Sequence, residues 1–150
     1  MKINVVCYAN YCRSPVAAIL LQKYLSKDYI VSSSGLNPFT SFSMDPRSLS
    51  YLEKNYNLPI VHIPKKIDEY LVEDSDLVLA LDLDILKNLK HDFKKFKDKI
   101  KLISFIDDNR SVPDPYLFKE INDYNNCMTH IDLLCKKLSF FLIEENWIVK

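Results

Sequence analysis

The sequence predicts an α/β fold, a single domain over 1–150 built on a four-stranded parallel sheet flanked by helices. Three observations carry this. Four short apolar runs alternate with stretches whose apolar residues recur every three or four positions. The chain has 150 residues with 48 % apolar content, which suits one compact domain with a full core. The polar residues suited to chemistry, Cys7, Ser33 and Asp114, fall just beyond the ends of apolar runs, where open parallel sheets bind their ligands.

Ile3, Val5 and Val6 read as a buried first strand that stops in a short polar loop. Pro15 suits the first turn of a helix carrying Val16, Ile19, Leu20 and Tyr24 on one side. Tyr29 to Ser33 reads as a second strand whose polar end lies beside the first loop if the strands are parallel neighbours. The stretch 36–45 is irregular and holds Pro38, Phe39 and Phe42. Asp45 then caps a helix with Pro46 at its first position and Leu49 and Leu52 pointing inward. An extended run from Leu58 and Pro59 through His62 to Pro64 leads to a short helix expected over Lys66–Val72. Leu77 to Leu81 is the third strand, and Asp82 caps a helix carrying Ile85, Leu86 and Leu89. His62 and Asp82 are read as structural. The Lys-rich run 87–101 contains Asp92 and Asp98 and has no stacking array, so it reads as a solvated helix and turn entering the fourth strand, 100–103. After a polar loop and Val112-Pro113-Asp114-Pro115-Tyr116, a long amphipathic helix is expected over 117–143. Cys127 and Cys135 pack within it as small apolar groups, and a tail at 143–150 carries the only Trp.

Composition removes several functions. Twenty basic and twenty acidic side chains cancel, which argues against nucleic acid or an anionic membrane as partner. No run approaches membrane-spanning length, and the chain enters its first strand without an apolar leader, so a cytoplasmic protein is expected. Gly35 is the only glycine, so neither a Walker-type loop nor a dinucleotide fingerprint is possible. Four cysteines without paired C-x2-C spacing and three scattered histidines predict no metal, and no cofactor is expected.

The informative stretch is Cys7-Tyr8-Ala9-Asn10-Tyr11-Cys12-Arg13-Ser14. A loop that runs from a strand into a helix N-terminus leaves several N–H groups unpaired and pointing one way, and the helix dipole adds positive charge at the same place. With Cys-x5-Arg spacing the loop curls around the sulfur, whose thiolate form is a strong nucleophile. Arg13 supplies a planar fork for two phosphate oxygens, and the Ser14 hydroxyl is placed to donate to the sulfur. A cysteine at a strand end is often mere apolar filler. Chance, however, gives Cys-x5-Arg-Ser in a chain of this composition only about 0.7 % of the time, which favours the chemical reading. Asp114, between two prolines, then serves as a general acid for the departing oxygen and as a base toward water; without the loop it would read as a simple Asp-Pro turn.

The segment 6–15, Val-Cys-Tyr-Ala-Asn-Tyr-Cys-Arg-Ser-Pro, resembles the active-site loop of the low-molecular-weight protein-tyrosine phosphatases. The likeness continues through Ser-Ser-Gly at 33–35, Met-Asp-Pro-Arg at 44–47, the run at 76–82 and Val-Pro-Asp-Pro-Tyr at 112–116. It implies the strand order 2-1-3-4 and hydrolysis of aryl phosphomonoesters through a phosphocysteine. Cys7, Arg13 and Asp114 would be catalytic, while Tyr8, Ala9, Asn10, Tyr11, Cys12, Ser14, Phe39 and Tyr116 would bind substrate. Asn10 and Ser33 would brace the loop, although Ser34 or an ordinary turn is the competing reading at that strand end. Phe39 stacks on a substrate ring or caps the sheet edge. The implied partners are a phosphotyrosine protein or small aryl phosphate, with phosphate or a similar oxyanion in the loop; the expected assembly is a monomer or weak dimer.

The chain departs from the family pattern at a few positions. Ala9 stands where glycine is usual, which would strain the loop by roughly 1 kcal/mol or more if that position needs positive φ. Tyr11, Phe42 and Leu117 also differ, reshaping the rim. Cys12, five residues from Cys7, suggests a protective disulfide on oxidation. Two other functions compete: an arsenate reductase on the same scaffold, which would need a redox cysteine after the third strand that 80–92 lacks, and an inactive phosphoprotein-binding module.

Overall fold

The computed structural model describes residues 1–57 and 60–145; the expectations for Leu58, Pro59 and the Trp-bearing end of the tail lie outside the described residues. Four strands, β1 (Lys2–Cys7), β2 (Ile30–Gly35), β3 (Leu77–Ala80) and β4 (Ile100–Leu102), form one all-parallel sheet in the order β2-β1-β3-β4. Five helices accompany them among the described residues: α1 (Ser14–Tyr24), α2 (Pro46–Asn55), α3 (Glu69–Asp74), α4 (Leu83–Asp92) and α5 (Ile121–Glu144). A 3-10 turn over Lys94–Lys99 leads into β4.

Both central strands are buried from end to end apart from Lys2, as a sheet covered on two faces requires. Asn4 is the one buried polar side chain within β1. It is tolerated because its Nδ2 donates to Ser32 Oγ at 2.8 Å and its Oδ1 accepts from Ser34 Oγ at 2.6 Å, so β1 and β2 are joined by side chains as well as by backbone. The α1 helix packs on β2 and α5, α2 on α5, and α4 on β3 and β4.

Helix starts follow their caps. The side chains of Asp45, Asp68 and Asp82 accept from the N–H groups of Arg47, Leu71 and Ile85, fixing the beginnings of α2, α3 and α4. The helix expected from Lys66 therefore begins three residues later: Lys66 bridges to Gly35, and Ile67 N–H donates to the Gly35 carbonyl at 2.9 Å, which extends the sheet edge. The last helix likewise begins at Ile121 and not at 117, and Ile121 is exposed rather than core-facing. Leu49 is only half-buried, while Ser48, Tyr51 and Leu52 face the interior from α2.

With this strand order the chain leaves β1 toward β2 on one side and reaches β3 on the other. Cys7 ends β1 at that reversal, where the crevice of an open parallel sheet lies.

Candidate active site

The loop after β1 is shaped by where its carbonyls go. Those of Cys7, Tyr8 and Ala9 accept from the N–H groups of Leu36 (3.2 Å), Asn37 (2.8 Å) and Phe39 (3.1 Å). The Asn10 carbonyl lies 2.9 Å from His62 Nε2, that of Tyr11 accepts from Asp45 N–H at 3.0 Å, and that of Cys12 accepts from Ser48 Oγ at 2.9 Å. Every one of these carbonyls is held from outside the loop. In a planar trans peptide the following N–H points the opposite way, so the amides of Tyr8 through Arg13 face inward, and none of them finds an acceptor among the described residues. A ring of free donors surrounds the Cys7 side chain.

Asn10 is the keystone of the loop's outer side. It is fully buried and has φ of 49°, a left-handed conformation that asparagine adopts more readily than most residues. Its Nδ2 donates to Ser14 Oγ at 2.9 Å and Ser33 Oγ at 3.0 Å, and its Oδ1 accepts from Lys65 N–H at 3.0 Å. Ser33 therefore occupies the bracing position, while the Ser34 side chain turns to Asn4 and only its carbonyl reaches Ser14 Oγ, at 3.3 Å. The left-handed position in the loop is Asn10; Ala9 has no positive φ, so the condition under which alanine would be strained there is not met. Gly35 passes so close behind the loop that a Cβ would stand 2.8 Å from both Asn10 N and Tyr8 O, which explains why the chain's one glycine is here.

Cys7 Sγ lies 2.9 Å from Ser14 Oγ. Ser14 Oγ accepts from Asn10 and has one proton, which can be given either to the Ser34 carbonyl at 3.3 Å or, at the shorter distance, to an anionic sulfur. Cys7 is 2 % exposed but lines a cavity of about 250 Å³ together with Tyr8, Ala9, Tyr11, Cys12, Arg13, Phe39, Asp114 and Tyr116. The expected substrate-facing set is thus gathered in one cavity, except that Asn10 and Ser14 lie behind the loop and touch its back.

The Arg13 guanidinium is almost completely buried. Nη1 donates to Asp82 Oδ2 and to the Val112 carbonyl, each at 2.8 Å, and Nη2 lies 3.7 Å from Asp114 Oδ2. Asp82 and His62, read from sequence as structural, do not meet each other, yet both hold the loop: Asp82 through Arg13 and His62 through the Asn10 carbonyl. Because a carbonyl only accepts, His62 carries its proton on Nε2, and burial holds the ring below its ordinary value. Asp82 had a visible signal, since it stands two residues past the end of β3 much as Cys7 stands at the end of β1. His62 had none.

Asp114 is about half exposed and caps its own turn, accepting from Tyr116 N–H at 3.2 Å. The cavity walls are aromatic: Tyr11 stands 5.2 Å from Phe39 and 6.2 Å from Tyr116, and Phe39 stands 5.8 Å from Tyr116. Phe39 lines the cavity. The Cys12 thiol points away to Asp45 Oδ2 at 3.6 Å, and burial pushes it up to about 12.

An anion-receptive Cys-x5-Arg loop at the switch point of a 2-1-3-4 sheet is the arrangement of a small α/β phosphatase, a hydrolase of phosphomonoesters. The sequence model described as low molecular weight phosphotyrosine protein phosphatase matches residues 2–146, and the chain belongs to that family. Low molecular weight protein-tyrosine-phosphatase Wzb of Escherichia coli (strain K12) is 31 % identical over 115 residues, 77 % of this chain and 78 % of that protein. A low molecular weight protein tyrosine phosphatase from T. tengcongensis has a crystal structure that superposes with a TM-score of 0.84 at 29 % identity, covering 92 % of this chain and 97 % of the other. The YwlE arginine phosphatase from Geobacillus stearothermophilus shares the fold, with a TM-score of 0.89 at 22 % identity over 96 % and 94 % of the two chains.

Proposed function

We propose that the chain, as one phosphatase domain over 1–150, hydrolyses phosphotyrosine or small aryl phosphates through a phosphocysteine. The observation that carries this is the ring of outward-bonded carbonyls, which turns six amides toward Cys7, with Arg13 lining the same cavity. A phosphate seated there has its charge met by preorganised donors before any bond changes. Cys7 Sγ attacks phosphorus, the S–P bond forms as the P–O(aryl) bond breaks, and the departing oxygen takes the proton of Asp114. Water then attacks phosphorus and loses a proton to the Asp114 carboxylate, and the S–P bond breaks to return the thiolate, which Ser14 O–H stabilises. Arg13 holds two equatorial oxygens, oriented by Asp82 and the Val112 carbonyl.

The walls of Tyr11, Phe39 and Tyr116 support an aryl group as the esterified part, since flat rings present edges and faces to a third ring at these separations. The four free cysteines suit the reducing cytoplasm. The test is hydrolysis of p-nitrophenyl phosphate and of a phosphotyrosine peptide, with Cys7→Ser as control. Turnover lost in Cys7→Ser is expected. No turnover by the wild type would leave the inactive binding module, preference for a phosphoarginine peptide would overturn the aryl reading, and thioredoxin-dependent arsenate turnover would point to the reductase.

A further inference from the structure

We infer that Arg47 is a positioning residue that holds the loop carrying Asp114 over the phosphate-binding loop; this rests on the proton-donor role proposed above for Asp114. The segment 112–118 leaves the sheet at Val112, whose N–H donates to the Leu81 carbonyl at 2.8 Å and whose carbonyl is taken by Arg13. Its entry is fixed. Within the segment, Tyr116 N–H returns to Asp114 and Phe118 N–H to the Pro115 carbonyl, and Cys127 Sγ reaches the Pro113 carbonyl at 3.5 Å. Pro113 and Pro115 stiffen it. At its exit, among the described residues, only Arg47 ties residues 116–118 to the rest of the protein by hydrogen bonds: Nη1 donates to the Phe118 carbonyl at 2.8 Å and Nη2 to the Tyr116 carbonyl at 3.0 Å.

The other edge of the same guanidinium grips Asp45, Nε to Oδ1 at 3.0 Å and Nη2 to Oδ2 at 2.8 Å, and its plane lies 4.0 Å from the centre of the Tyr124 ring. Asp45 in turn touches the phosphate-binding loop, its N–H bonded to the Tyr11 carbonyl and its carboxylate to the Cys12 thiol. A continuous path thus runs from the loop that holds the nucleophile, through Asp45 and Arg47, to the carbonyls two and four residues past Asp114. A planar fork with donors on two edges can join a carboxylate to two carbonyls; an ammonium cannot reproduce that geometry. The Met-Asp-Pro-Arg stretch thereby gains a role: it sets the distance between sulfur and proton donor.

The test compares phenyl phosphate, whose poor leaving group needs the proton, with 2,4-dinitrophenyl phosphate, which does not. A positioned acid contributes about 10²–10⁴-fold, so partial misplacement in Arg47→Lys is expected to lower kcat/KM on phenyl phosphate by about 10-fold or more and on the dinitrophenyl ester by less than about 2-fold. In an Asp114→Asn background Arg47→Lys should add little, because the two changes act on one step. Amide exchange at Tyr116, Leu117 and Phe118 should quicken in Arg47→Lys whatever the substrate. Should that variant fail to fold, Asp45→Asn/Arg47→Gln removes the charges together, keeps a capping side chain, and is expected to give the same pattern. Equal losses on both esters, additivity with Asp114→Asn, or unchanged exchange at 116–118 would overturn the inference. An Asp114→Asn enzyme with no leaving-group dependence would instead overturn the proton-donor reading, leaving the exchange result to judge the tether.

Discussion

Replacing Asp82 by asparagine isolates the charge pair that orients Arg13. The two oxygens of Asp82 do separate work: Oδ2 accepts from Arg13 Nη1 and Oδ1 caps α4 through Ile85 N–H, both at 2.8 Å. Asparagine caps a helix as well as aspartate does, so Asp82→Asn keeps α4 with its one oxygen on Ile85 N–H, while its amide NH2 faces Arg13 Nη1 and the charge and the acceptor for the guanidinium are lost together. The guanidinium is 3 % exposed and Asp82 21 %, which makes this a partly desolvated pair. A hydrogen bond between charged groups contributes about 1.5–3 kcal/mol net. The larger loss of roughly 3–5 kcal/mol, for a buried ion left alone, does not apply because the Val112 carbonyl and Asp114 remain at 2.8 and 3.7 Å. Asp82→Asn is therefore expected to lower unfolding free energy by about 1.5–3 kcal/mol, and Asp82→Ala by about 1 kcal/mol more through the lost cap. Urea titration with an unchanged m-value measures both. Activity should fall with the pair, since Arg13 is then held by one carbonyl hydrogen bond and the longer contact to the half-exposed Asp114. A stability for Asp82→Asn within about 0.5 kcal/mol of wild type, with full activity, would refute the argument that the pair orients the fork.

Gly35→Ala puts a methyl group 2.8 Å from two backbone atoms of the loop, so the loop must shift; stability should fall by about 1–3 kcal/mol and phosphate should no longer raise the melting temperature. Ser33→Ala removes one of two acceptors from Asn10 Nδ2 and should cost about 1 kcal/mol by denaturant titration, whereas Asn10→Ala removes all three bonds and places alanine at positive φ, a loss roughly two to three times larger. Burial opposes ionisation of Asp45, but the bonds from Arg47 outweigh it and hold the carboxyl below its ordinary 3.8. A group whose value is depressed by folding stabilises above its unfolded value and loses that contribution as pH falls through its folded value. The stability gap between wild type and Asp45→Asn should therefore be constant above pH 3.8 and close below it, as followed by urea titration across pH 2–6.

The parts of this fold legible in the sequence are those decided locally. The strand-to-helix junction at Cys7–Pro15 is written in an apolar run, a polar gap and a proline, and the caps Asp45 and Asp82 stand immediately before their helices. Errors arose where a distant partner decides. Lys66 and Ile67 carry a helical pattern but bond to Gly35 on the sheet edge, so α3 waits for Asp68. Leu117 and Phe118 continue the spacing of the last helix, yet the Tyr116 and Phe118 carbonyls are occupied by an arginine about seventy residues earlier. Within the site, Cys7, Arg13 and Asp114 announce themselves by type and spacing. Asp82 was legible as a cap and not as the guanidinium's counter-ion, because its partner is 69 positions away. His62 donates its N–H to a backbone carbonyl, an interaction that leaves no mark on neighbouring residues.

The six outward carbonyls of the loop end on donors from the stretch after β2, from His62, and from the start of α2. Such wiring means the receptor for the anion is not a local object: excised as a peptide, residues 7–14 would have nothing to turn their carbonyls away and would close on themselves. The energy that keeps those amides unpaired is drawn from the packing of several distant segments. The oxyanion affinity proposed for this loop is therefore a gauge of tertiary order, and should vanish in the same cooperative melt that dissolves the sheet, not ahead of it.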